Sequence, residues 1–230
     1  MSETWDFWHD TAHSPSFNMA ADEILLETAP ARGRPLLRFY GWDRLAVSIG
    51  CVQSLSAAPS GYAVVRRPTG GGVVYHDFDF TYTVVVPAQH WLNGLNRLES
   101  YDRINQAVQT ALTDLNYQAS LSQAEIPHEV DRLTMVCFTN PTRYDVLHNG
   151  AKVAGSAQRR TQDGILHQGS LHFGGPLPMP RQTLGGALLS AFQRLLQVSF
   201  VPFEPTDAEL ALMTERAENK FASDAWNAKR

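Results

Sequence analysis

Cysteine is nearly absent from this chain. Only Cys51 and Cys137 occur among 230 residues, so no disulfide framework is expected, and each thiol is either buried filler or a reactive group. A bacterial-type cytosol is the default compartment for such a composition. Long apolar runs are missing too. No stretch approaches the roughly 20 apolar residues of a membrane span, and the polar, acidic start MSETWDFWHD is not a secretory signal. Positive charge is not in excess: 19 Lys and Arg against 23 Asp and Glu leave a formal net charge of -4. That balance excludes the electrostatic footprint of a nucleic-acid or anionic-membrane binder. Eight histidines include no His-Glu-x-x-His, and the two cysteines form no Cys-x-x-Cys, so no metal site is expected. The P-loop, the dinucleotide G-x-G-x-x-G and the G-x-S-x-G elbow are likewise missing.

What remains is ordinary globular material, 43% hydrophobic and 18% charged, long enough for one well-buried core. Residues 17–28 place Phe17, Ala20, Ala21, Ile24 and Leu25 on one helical face, with Ser14 or Ser16 as cap. Short strand-like runs follow at 36–40, 45–49, 63–67, 73–76 and 81–86. Leu98, Tyr101, Ile104, Val108, Leu112 and Leu115 recur at helical steps. Asn149-Gly150 between 144–148 and a run from Ala151 is a two-residue hairpin signal, and 165–173 reads as a further strand. Two helices close the chain, at 184–196 and 207–221, the second opening on a Thr206/Glu209 capping box. The expected class is α+β with a mainly antiparallel mixed sheet flanked by helices. Residues 1–230 are expected to form a single domain with a short helical extension from about 181.

Three segments can carry chemistry. Arg66-Arg67-Pro68-Thr69-Gly70-Gly71-Gly72-Val73-Val74-Tyr75-His76-Asp77 offers backbone N–H groups without side chains in the way, beside two arginines suited to a phosphate or pantetheine arm. The bland alternative is a flexible hairpin tip. Lys152 heads Val153-Ala154-Gly155-Ser156-Ala157-Gln158, where strand alternation puts Lys152 and Ala154 on one face and Val153 on the other. Small residues there leave room for a ligand, although a lone lysine is usually just solvated. Cys137 sits in Met135-Val136-Cys137-Phe138-Thr139-Asn140-Pro141, either as a small buried hydrophobe or as a nucleophile on a loop. Cys51, after Ile49-Gly50, reads as filler.

Together with Asn18-Met19-Ala20-Ala21-Asp22-Glu23, Leu37-Arg38-Phe39-Tyr40-Gly41-Trp42, Ser48-Ile49-Gly50, Gln53 and His167-Gln168-Gly169-Ser170-Leu171, these segments occur in one order. In that order the chain resembles the lipoate–protein ligase and octanoyltransferase superfamily, related in fold to biotin–protein ligases. The spacing from Cys137 to Lys152, 152 − 137 = 15 residues, resembles the cysteine-dependent octanoyltransferases. There are departures: Gly70-Gly71-Gly72 looks more like the ligases, Asp77-Phe78-Asp79-Phe80 stands where ligases place Gly-Asn, and Gln168 stands where relatives carry a histidine.

The resemblance implies that Cys137 and Lys152 are catalytic. It implies that Arg67, Gly70, Gly71, Gly72, His76, Gly155, Ser156, Ala157 and Gly169 bind the acyl substrate. Octanoyl-acyl carrier protein is the implied donor, and a lipoyl domain or a glycine-cleavage H protein the acceptor. Cys137 would take the acyl group as a thioester, with Lys152 assisting deprotonation of the acceptor amine or donating to the acyl oxygen, and no cofactor would be required. The alternative within the superfamily is an ATP- and magnesium-dependent ligase in which Arg66, Arg67 and the glycine amides hold an adenylate and Cys137 is a bystander. A third reading is a non-catalytic acyl-binding relative. A monomer is the default expectation.

Overall fold

Phe80 to Pro87 is buried at every position, which requires packing on both faces of a strand. Val84 and Val86 belong to one core cluster and Val85 to another. The period-2 alternation of a strand thus divides this run between two layers. The computed structural model describes residues 2–229.

In chain order the elements are β1 (Glu3–His13), α1 (Pro15–Glu27), α2 (Ala29–Arg32), β2 (Leu36–Trp42), β3 (Ala46–Ile49), β4 (Ala63–Arg66), β5 (Val74–His76) and β6 (Phe80–Pro87). Then come α3 (Trp91–Gly94), α4 (Arg97–Asp114), β7 (Ala119–Leu121), β8 (Val146–His148), β9 (Ala151–Thr161) and β10 (Gly164–Leu171). The chain closes with α5 (Arg181–Leu196), β11 (Val198–Pro202), α6 (Asp207–Arg216), a π-helical turn Ala217–Phe221 and α7 (Asp224–Asn227).

An eight-stranded mixed sheet runs β11-β1-β2-β6-β10-β9-β8-β7, and a three-stranded sheet runs β4-β3-β5. In the large sheet β1 lies parallel to β2 and to β11, and the remaining neighbours are antiparallel. Helices α4 and α5 cover one face, where Ile104, Val108, Leu112, Leu188 and Phe192 pack with Leu37, Tyr82 and Val84. Helix α1 and Met213 of α6 cover the other, against Leu36, Val85 and Leu166. The mixed α+β class read from the sequence is the observed one.

Local chemistry fixes the ends. Ser14 caps α1, accepting from Phe17 N, with Pro15 at the first helical position. Both Asn96/Glu99 on α4 and Thr206/Glu209 on α6 close capping boxes. Asn149 and Gly150 take φ 50° and 79°, the positive values that a two-residue hairpin needs between β8 and β9.

The ends of the chain depart from expectation. Glu3–His13 forms β1, an interior strand second from the edge of the large sheet, although its sequence was legible only as polar and acidic. The segment from 181 on is not simply a helical extension. Phe192 of α5 is fully buried in the main core, and β11 adds a strand alongside β1. Five residues ending in proline make no strand by themselves; pairing with β1 does.

Candidate active site

The small sheet presents the glycine-rich loop between β4 and β5. Arg67, buried beneath it, places all five N–H donors on the protein. Nε and Nη2 reach Gly70 O at 3.1 and 2.6 Å, Nη2 reaches Gly72 O at 2.7 Å, and Nη1 reaches Ser48 O and Oγ at 2.8 and 3.1 Å. Arg66, fully buried, donates to the carbonyls of Gly50, Gln53, Trp226 and Asn227. Both guanidiniums therefore shape backbone. This corrects the expectation that they are free for a phosphate or pantetheine arm.

The glycines themselves divide in role. Gly71, at φ 88°, faces the pocket described below. Gly70 and Gly72 do not line it. Gly72 instead lets another backbone come close, since a Cβ there would sit 2.6 Å from Met135 O and 2.8 Å from Cys137 N. In that gap Val73 N donates to Met135 O and Cys137 N to Val73 O, both at 2.9 Å. Gln53 Nε2 adds a bond to Met135 O at 3.0 Å. Cys137, on the long loop between β7 and β8, is thus carried by the glycine loop.

Lys152 comes from β9, where the register with β8 slips: Val146 pairs with Ala154 but Leu147 with Lys152. The extra residue, Val153, is a β-bulge, a device that re-aims side chains beside active sites. Simple alternation is lost, and Val153 and Ala154 both enter the same core cluster. Lys152 folds back over Gly155, where a Cβ would lie 2.5 Å from its Cε and 2.8 Å from Nζ.

Nζ donates to Cys137 Sγ at 3.3 Å and Cys137 O at 3.1 Å, and forms an ion pair with Asp145 Oδ2 at 2.7 Å. Three acceptors match the three N–H groups of an ammonium, which has no lone pair to offer. The resting lysine is therefore a donor and not a base. Burial pulls its pKa down, but Cys137 and Asp145 outweigh that and leave it above the ordinary lysine value. Phe138 places its ring 5.5 Å from Nζ.

A pocket with an empty volume of about 460 Å³ opens at Cys137. Of the residues expected at the site, Arg67, Gly71, His76, Cys137, Gly155, Ser156, Ala157 and Gly169 line it. Gly169 provides room for the ring of Tyr82, whose Cζ lies 2.1 Å from where a Cβ would be. The far wall is Trp42 stacked on His76, with ring centroids 3.8 Å apart. His76 is buried between Asp79 Oδ2 (2.8 Å from Nδ1) and Ser48 Oγ (2.9 Å from Nε2). Burial raises Asp79, but the His76 interaction and three hydrogen bonds bring it below the ordinary carboxylate range. A larger cleft of about 1590 Å³ adjoins this wall, between the ends of β1 and β2 and the start of α5. Cys137 does not line it but does line the smaller pocket, which is therefore the candidate site.

Four contributors were not among the expected site residues. Trp42 and Phe138 were quoted only as parts of motifs. Gln168 bridges Thr69 Oγ1 and Asp22 Oδ2, each at 2.7 Å, tying the glycine loop to α1. Asp145 was missed altogether, although the Asn149-Gly150 turn held the signal. Pairing 148 with 151 and 147 with 152 makes 145 a diagonal neighbour of Lys152. Cys51 contributes backbone bonds, its N–H donating to Thr69 O and its carbonyl accepting from Arg66 Nη1.

Residues 14–199 match the family model of the lipoyl protein ligase A/B catalytic domain. The octanoyltransferase LipM of Bacillus subtilis is 31% identical, over 99% of this chain and 99% of that protein. The octanoyltransferase LipM of Staphylococcus aureus is 36% identical, over 74% and 66%. Among solved structures, a protein described as a lipoate protein ligase of T. acidophilum superimposes with TM-score 0.81 at 22% identity, covering 98% of both chains. Lipoate-protein ligase A bound with ATP gives TM-score 0.81 at 21% identity, again covering 98% of both. At those identities the structures speak for the fold alone.

Proposed function

The chain belongs to the lipoyl protein ligase A/B catalytic family, and from that premise we propose that it is an octanoyltransferase of protein lipoylation, working through a thioester at Cys137. Relatives named octanoyltransferase along the whole length of the chain support the acyl-transfer reading. The observation that carries the covalent route is the 3.3 Å contact between Lys152 Nζ and Cys137 Sγ at the head of the pocket.

In the first half-reaction the Cys137 sulfur, as thiolate, attacks the carbonyl of octanoyl-acyl carrier protein. The new C–S bond forms as the old one breaks, and the carrier leaves as a thiolate that takes a proton from water. One thioester replaces another, so no ATP is needed. The Lys152 ammonium stabilises negative charge on the sulfur and then on the acyl oxygen, a contribution of ~3 kcal/mol for one well-placed donor. In the second half-reaction the neutral lysine amine of a lipoyl domain attacks the acyl-enzyme. The amide forms, Cys137 departs as thiolate, and the amine proton goes to water. The chain lies in the pocket of Gly71, Ser156, Ala157 and Gly169, where each buried methylene contributes ~0.8 kcal/mol. That supports modest selectivity between neighbouring chain lengths.

The ATP-dependent reading asks Arg66 and Arg67 to hold an adenylate phosphate, but their donors are committed to backbone. Intact-mass measurement after mixing with octanoyl-acyl carrier protein tests the proposal. One octanoyl increment is expected, lost in Cys137→Ala, and Cys137→Ser should lose nearly all transfer. Transfer from free acid only with ATP and magnesium, undiminished in Cys137→Ser, would overturn it.

A further inference from the structure

We propose that Asp145 is a positioning residue that completes a Cys137–Lys152–Asp145 relay and keeps Lys152 a cation through both half-reactions. The inference rests on the reading that Cys137 carries the acyl group. Lys152 and Asp145 side chains are 2% and 4% exposed, so the pair is essentially removed from water. The bonded oxygen, Oδ2, is itself fixed by Thr142 N at 2.6 Å and Thr142 Oγ1 at 2.9 Å. Tyr144 turns the chain there at φ 72°. Ser122 holds both sides of that turn, its carbonyl accepting from Tyr144 N and its N–H donating to Asp145 O, each at 2.8 Å. A non-glycine residue in that conformation is held by its surroundings, and here they aim one carboxylate at one ammonium.

The need for Asp145 is greatest in the acyl-enzyme. While Cys137 is a thiolate, two anions face Lys152. Once the sulfur is acylated it is neutral, and among the described residues Asp145 is the only anion within hydrogen-bond distance of Nζ. The other titratable groups near the pair are Tyr82 on β6, Tyr101 on α4, Arg67 behind the glycine loop, and His172, paired with Asp77 and packed on Phe138. None of these supplies a negative charge to Nζ at neutral pH. A buried lysine without a counter-ion loses its proton readily. Without Asp145 the donor would disappear as the acceptor amine attacks and oxygen takes up charge. Throughout the cycle Lys152 gives up no proton. The acceptor amine loses its proton to water, and the departing carrier thiolate gains one from water.

The test is single-turnover octanoyl transfer from octanoyl-acyl carrier protein to a lipoyl domain, followed from pH 6 to 10 by intact mass, in the wild type, Asp145→Asn and Thr142→Val. Wild type should gain rate toward the alkaline end as more of the acceptor amine becomes neutral, and each variant is read as its ratio to wild type at the same pH. Asp145→Asn should lose roughly tenfold at pH 7 and roughly a hundredfold at pH 9.5, because its lysine titrates below the ordinary ~10.4. Thr142→Val, which leaves the charge in place, should lose less and keep the wild-type profile shape. A Cys137 adduct in the wild type with an unchanged pH profile in Asp145→Asn overturns the relay alone. A rate loss equal at every pH does the same, because it marks a structural role. No adduct in the wild type overturns the thioester reading and the relay with it.

Discussion

Gly155→Ala is the most informative single change, because it displaces Lys152 from Cys137 without replacing either residue. A Cβ at 155 would lie 2.5 Å from Lys152 Cε, 2.8 Å from Nζ and 3.2 Å from Asp145 Oδ1. Ordinary contact begins at 3.4 Å, so Cε must retreat by 3.4 − 2.5, about 0.9 Å. The bond from Nζ to Sγ already stands at 3.3 Å, and a retreat of that size takes it out of range. Loss of one such donor costs ~3 kcal/mol of transition-state stabilisation, or roughly a hundredfold in rate. The fold should suffer much less. The obstructing atoms are the far end of a flexible side chain, and alanine stiffens the unfolded chain by ~0.4–1 kcal/mol. A net cost of ~1–2 kcal/mol lowers Tm by ~2–8 °C in a chain of this size. The assay is initial octanoyl transfer at 25 °C beside a thermal melt of the same sample. A variant that transfers within threefold of wild type would refute the claim that the lysine–sulfur contact drives the chemistry.

Gly72→Ala should be worse for the structure, since its Cβ meets backbone, Met135 O and Cys137 N, rather than a movable side chain. Loss of transfer together with a Tm drop of ~5 °C or more is expected, read by melt and activity. His167 is fully buried and desolvation pushes its pKa down to about 3. The unfolded chain binds a proton near 6.5 that the folded chain refuses, so stability is lost as pH falls from 6.5 toward 3. The slope should approach ~1.4 kcal/mol per pH unit and disappear in His167→Gln, measured by urea midpoints against pH. Asn227→Ala removes the acceptor of Arg66 N at 2.7 Å and two donations to Phe221 O and Ser223 O. A loss of ~1–3 kcal/mol by urea unfolding is expected, with the C-terminal turn then held to β4 by the Arg66 guanidinium and Trp226 Nε1.

The sequence by itself determined the elements whose signals are local. The helical spacing of Leu98 to Leu115, the Thr206/Glu209 box, the Asn149-Gly150 turn and the buried run of β6 depend on neighbours a few residues away. It also singled out Cys137 and Lys152, because an ordered set of motifs narrows chemistry even when each member is weak. Tertiary structure decided what depends on distant partners. Strand β1 lies between β2 and β11, and β11 pairs only with β1, across nearly the whole chain. A donor's free or occupied state is equally non-local. Arg66 and Arg67 read as ligand-binding cations until Ser48, Gly70, Gly72 and the carbonyls of Trp226 and Asn227 are seen to occupy them. The Val153 bulge, worth one residue of register, turns a strand lysine back onto a sulfur 15 residues away (152 − 137) and beside Asp145. Periodicity in a sequence assumes an unbroken strand, and only the folded sheet reveals where it breaks.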